Sequence, residues 1–138
     1  MNKRTTYITD FDLKRLRETI SIWRRSDFTR RNDLQELEEV LNRGLLVSSR
    51  NVPGDVITMN STACLIDLDT GEELVYTLVF PKDADIQQNK ISVLAPIGTA
   101  MLGYSIGEIF EWRVPDGVRR LKVKELLYQP ETSGDYHF

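Results

Sequence analysis

Four arginines crowd one short stretch of this sequence. Arg24, Arg25, Arg30 and Arg31 flank a single acid, Asp27. Guanidinium groups at this density read in two ways. They form a solvated, self-repelling turn, or a cationic tip that meets an acidic surface or a nucleic-acid phosphate. Elsewhere little points to bond-making chemistry. His137 is the sole histidine and stands next to the last residue, where chains usually fray. That argues against a histidine nucleophile, a phosphohistidine or a histidine metal site. Cys64 is the single cysteine and lies in the apolar run Ala63-Cys64-Leu65-Ile66, so it reads as a small buried hydrophobe. Carboxylates pair at Asp67/Asp69, Glu72/Glu73 and Asp83/Asp85. All lie beside expected turns, where solvated acids are normal. No Walker loop or dinucleotide-type glycine pattern occurs. The expectation is a binding protein rather than an enzyme, with no catalytic residue, metal, cofactor or small-molecule substrate.

The arginines must sit between two helices. Thr9 or Asp10 can cap the first, with Asp12 in its first turn favoured by the helix dipole. Leu13, Leu16, Ile20 and Trp23 then recur at helical spacing and make one apolar stripe. Asn32 can cap the second helix, with Gln35 in capping-box position. Leu34, Leu37, Leu41 and Leu45 repeat the stripe, and Gly44 can stop the helix. Two such stripes across a short connection predict an antiparallel hairpin, each helix roughly 15–21 Å long at the helical rise.

Val47 to Pro53 reads as a linker, after which the pattern changes to strands. Ala63–Leu68 and Glu73–Phe80 flank the turn Asp69-Thr70-Gly71. Pro81 ends the second strand, and Lys82–Asn89 is a polar loop or short helical turn. A short strand follows at Ile91–Leu94. Pro96 suits the first turn of a helix over Ile97–Leu102, with Gly103 as its cap. Strands Glu108–Val114 and Val118–Tyr128 flank the turn Pro115-Asp116-Gly117. The fold class is therefore α+β: a short N-terminal helical hairpin over 1–47, then an antiparallel sheet domain with one helix over 48–138.

Charge supports the same division. Residues 1–50 carry 11 basic and 8 acidic groups, whereas residues 51–138 carry 7 basic and 13 acidic groups. A nucleic-acid binder more often presents one strong basic face, so a protein partner is the better first reading. No run of about 18 apolar residues occurs, so no membrane span is expected. A lone thiol without a secretory leader suggests a reducing cytoplasm.

The run Ile91-Ser92-Val93-Leu94-Ala95-Pro96-Ile97-Gly98-Thr99-Ala100-Met101-Leu102-Gly103, followed by Gly107-Glu108, resembles the C-terminal domain of the GreA/GreB transcription factors. Val56-Ile57-Thr58-Met59-Asn60-Ser61, Tyr128-Gln129-Pro130-Glu131 and Gly134-Asp135-Tyr136 resemble one branch of that superfamily, the regulators of nucleoside diphosphate kinase. The resemblance is carried by residues 50–138, and over the hairpin it rests on architecture. It implies an N-terminal coiled coil, an FKBP-like second domain, and docking at the secondary-channel rim of bacterial RNA polymerase through the β′ subunit. In Gre factors an Asp-Ser-Pro element contributes to that contact. Here Leu94-Ala95-Pro96 stands in its place, followed by Ile97; the proline matches and a leucine replaces the acid. Leu94 and Pro96 are accordingly expected at an exposed edge. The resemblance further implies competition with Gre factors; the short helices, and Asp27 standing alone among Arg24, Arg25, Arg30 and Arg31, lead to the expectation of no stimulation of transcript cleavage. Two other readings stay open. Tyr76, Phe80, Phe110 and Trp112 could line a peptidyl-prolyl isomerase cleft, although core packing accounts for their spacing. The arginine tip could contact RNA directly.

Overall fold

The first helix begins where the sequence offers a cap. Thr9 is extended, and its hydroxyl accepts the Asp12 N–H at 3.0 Å. Helix α1 then spans Asp10–Arg24, and α2 spans Arg31–Arg43. The computed structural model describes residues 7–25, 31–115 and 117–134. Arg17 reaches Asn42 and Arg24 reaches Glu38, so the helices run antiparallel. Leu16 and Ile20 of α1 and Leu34, Leu37 and Leu41 of α2 are buried; Leu13 and Trp23 pack beside them.

Two details differ from the sequence reading. Helix α2 already includes Asn32, so that residue is not its cap. Leu45 does not continue the stripe, because the helix ends before Gly44 and the chain becomes extended. Strand β2 (Leu45–Val47) pairs in parallel with β1 (Tyr7–Thr9) and leaves Leu45 half exposed. Three-residue strands are too short to show an alternation, which is why neither was legible beforehand.

The second half is a five-stranded sheet. Its strands are β3 (Thr62–Asp67), β4 (Glu73–Val79), β5 (Lys90–Ser92), β6 (Ile109–Val114) and β7 (Gly117–Tyr128), in the order β5-β4-β3-β7-β6. The sheet is mixed, not antiparallel as expected. Strand β5 lies parallel to β4, with Thr77 opposite Lys90 and Val79 opposite Ser92. The reason is the connection. Pro81 stops β4, and residues 81–88 form two short 3-10 turns that carry the chain back along β4 before β5 starts. A parallel neighbour needs such a return, whereas a tight turn would have made a hairpin. Register shifts in β3–β7 pairing place two β7 residues against one β3 residue near Thr62 and Cys64, and such bulges bend a strand.

One sheet face carries the core. Ala63, Leu65, Leu78, Leu121, Val123 and Phe110 meet Ile97 and Met101 of α3 (Pro96–Met101). This cluster is continuous with the buried stripes of α1 and α2. Phe80 and Phe110 are buried and Tyr76 and Trp112 pack against the cluster, so these aromatics serve packing rather than an open cleft. Cys64 is buried on the opposite sheet face, where its thiol donates to Glu73.

Candidate functional site

The strand-to-helix junction after β5 is locked by its own hydrogen bonds. The Leu94 N–H donates to the Ser92 hydroxyl at 3.1 Å, and the Ala95 N–H to the Ser92 carbonyl at 3.0 Å. The Thr99 hydroxyl donates to the Val93 carbonyl at 2.6 Å. Pro96 opens α3, where its missing N–H costs nothing. Gly98 lies flat against the strand; a Cβ there would stand 2.1 Å from the Ser92 carbonyl oxygen. This packing corrects one expectation. Leu94 is only 8% exposed and Ile97 only 6%, and both belong to the core. Pro96 is exposed and Ala95 is half-buried. The surface offered by Leu94–Ile97 is therefore Ala95 and Pro96, and Leu94 does not form the exposed edge.

At the far end of α1, Arg24 and Arg25 are exposed. Arg24 pairs with Glu38 across the hairpin. An open cleft of about 320 Å³ between the helices is lined by Arg17, Ile20, Ser21, Arg24, Arg25 and Glu38. Arg31 is the first residue of α2. Asp27 and Arg30, like His137, lie outside the described residues.

The two shorter motifs meet at the other end of the hairpin. The Thr58 N–H donates to the Ser61 hydroxyl at 2.9 Å, and the Thr58 hydroxyl to the Glu131 carboxylate at 2.7 Å. The Gln129 amide donates to the carbonyls of Pro53 and Val56 at 2.8 and 2.7 Å. Asp12 reaches into this junction from α1. One carboxylate oxygen accepts the Met59 N–H at 3.0 Å, and the other accepts from Arg15 at 3.0 Å. The Arg15 guanidinium lies between two rings, 4.1 Å from the centre of Phe11 and 4.6 Å from that of Phe80. Burial pushes the Asp12 carboxyl up from its ordinary value, against the Met59 and Arg15 hydrogen bonds. Burial likewise raises Glu131, and the neighbouring Asp12 adds to it. Reading the sequence gave Asp12 only a helix-dipole role and gave Arg15, Thr58 and Glu131 none. The signal was present in the two motifs, but not the fact that they touch.

A third polar cluster corrects the reading of Asp67 as a solvated turn acid. Asp67 is 1% exposed. Its carboxylate caps the turn by accepting the Asp69 N–H at 2.8 Å and the Thr70 N–H at 3.2 Å, and it accepts Arg119 Nε at 2.6 Å. Among the described residues, no cluster of three or more His, Cys, Asp or Glu side chains could hold a metal. No helix there is long and apolar enough to cross a membrane. These sites can bind, brace and orient.

Comparison with known proteins decides the family. Residues 52–128 match the family model described as "Transcription elongation factor, GreA/GreB, C-term". The chain belongs to the GreA/GreB family. It is 43% identical over 101 residues to the regulator of nucleoside diphosphate kinase of Escherichia coli (strain K12), covering 72% of this chain and 74% of that protein. It is 41% identical over 90 residues to the transcription elongation factor GreA of Chloroherpeton thalassium, covering 65% of this chain and 57% of that factor. Among solved structures, the GreA/GreB transcription elongation factor of Nitrosomonas europaea superposes with a TM-score of 0.73 at 35% identity, covering 91% of this chain and all of that one. The GreA/GreB match begins just before the Thr58 loop and ends at Tyr128, so it contains the β5–α3 junction and the whole sheet.

Proposed function

We propose that this chain regulates transcription by docking on bacterial RNA polymerase at the secondary-channel rim, through the β′ subunit, in competition with Gre factors. The observation that carries the reading is the family match over residues 52–128, which spans the sheet body. In the proposal, residues 48–138 are an FKBP-like anchor and residues 1–47 an arm. The exposed Pro96, with Ala95 beside it, is the counterpart of the contact element in Gre factors.

The arm should not stimulate transcript cleavage. Gre factors do so by carrying acidic tip residues to the catalytic magnesium. Reach fails here first: helices of 15 and 13 residues span only about 22 and 20 Å at the helical rise. Charge fails second. Magnesium needs carboxylate oxygens, and Asp27 stands alone among four arginines. The test is a backtracked elongation complex with labelled RNA and this protein added alone. No shortening above the polymerase's intrinsic rate is expected. Faster shortening would overturn the reach and charge arguments together.

A further inference from the structure

We infer that Asp12 is a positioning residue that fixes the direction in which the helical arm leaves the sheet body. The backbone N–H groups of the Thr58 loop go to two different parts of the fold. Each buried N–H needs an acceptor. The Ile57 N–H donates to the Tyr104 carbonyl at 2.9 Å, Thr58 to the Ser61 hydroxyl, Asn60 to the Leu78 carbonyl at 2.6 Å, and Ser61 to the Thr58 carbonyl at 3.1 Å. All four bonds stay within the body. The Met59 N–H points to the arm instead, and its acceptor is Asp12.

The loop that presents this donor is braced from within the body. Asn60 is left-handed, with φ at 66°, and the Thr58 hydroxyl ties the loop to Ser61 and Glu131. The acceptor is equally constrained. Asp12 lies in the first turn of α1, three residues after the cap Thr9, and its second oxygen holds Arg15. Arg15 extends the clamp by lying against Phe80 of the body. The apolar core that joins arm and body is non-directional, and a carboxylate between a fixed donor and a helix start adds the direction. The long lever beyond it, out to Arg24, amplifies any change of angle.

The role in polymerase binding rests on the proposed function; the geometry does not. The two are therefore read separately, on the full chain in a Cys64→Ala background. Spin labels at Ile22→Cys on α1 and Leu127→Cys on β7, both exposed positions, report arm direction by their distance distribution. The parent should give one narrow peak. Asp12→Ala orphans the Met59 N–H and should broaden the peak about twofold, as expected of a locally opened joint. Asp12→Asn keeps an oxygen for that N–H and should restore the narrow peak. Asp12→Leu, which fills the same space without an acceptor oxygen, provides the same readout if Asp12→Ala does not fold. A peak as narrow as the parent's in whichever of these two variants is folded would overturn the inference. Affinity for core polymerase should fall about three- to tenfold in the broadened variant, because a loosened arm must be reordered on binding. If the parent itself does not bind polymerase, the proposed function falls and the distance measurement still judges the clamp.

Discussion

Asp67 and Glu131 are both buried acids, yet they should respond to pH in opposite directions. The Asp69 N–H, then Arg119 and the Thr70 N–H, hold the Asp67 carboxyl below its ordinary 3.8 despite the opposing effect of desolvation. A depressed folded-state value contributes stability above 3.8 that is lost as pH falls through the folded value. Asp67→Asn should therefore flatten the acid limb of a stability-versus-pH curve; an unchanged limb would show that the Asp69, Arg119 and Thr70 hydrogen bonds do not favour the carboxylate. Glu131 is raised, chiefly by burial, above 4.5. Its protonated form suits the fold, so its contribution is complete below 4.5 and declines as pH rises through the folded value. Glu131→Gln keeps an oxygen for Thr58, so the variant should gain on the parent between mildly acidic and neutral pH. Urea midpoints at several pH values measure both. At the β5–α3 junction, Leu94→Asp would bury an acid in the core and should lower the melting point sharply, at several kcal/mol or about that. Pro96→Ala should leave the melting point within a few degrees and weaken polymerase binding. If the two variants behave alike in a thermal melt, the division of this junction into core and surface is wrong.

Among the elements, α3 depends on Gly98. Any side chain there meets the Ser92 carbonyl of β5, which is backbone and cannot swing aside. Gly98→Ala should cost about 3 kcal/mol by overpacking, read from denaturant midpoints; a neutral substitution would mean that α3 slides freely on the strand. The helices and most strands were legible because each carries a local signal. The Leu16–Ile20 and Leu34–Leu37–Leu41 spacings mark one buried stripe each, and Gly71 and Gly117, both at positive φ, mark the hairpin turns. Strand order and direction were not, because pairing is non-local. Nothing in Lys90–Ser92 says that it lies parallel to β4, and nothing in Tyr7–Thr9 says that it meets Leu45–Val47. The same limit hid the clamp: Asp12 and Met59 are far apart in sequence, and only the fold brings them together. The exposure of Leu94 was misjudged for a related reason. The resemblance supplied a position in a motif, whereas burial depends on what α3 and the strands place over it.

On the scale of the whole molecule, one continuous core joins the arm to the body, while charge separates them. The first 50 residues are net basic and the remainder net acidic. A partner that meets both parts must present surfaces of both signs, so polymerase association should slow as salt rises. The absence of any salt effect on the association rate would count against an electrostatically steered encounter. The central claim is that this chain occupies the Gre-factor site on the polymerase. It is tested most directly by titrating the protein into core polymerase carrying fluorescently labelled GreA and following the label's anisotropy. Competition predicts that the signal falls to that of free GreA, with the apparent dissociation constant of GreA rising in proportion to the concentration of competitor. A polymerase that holds both proteins at once, with the anisotropy unchanged while this chain co-elutes, would contradict it.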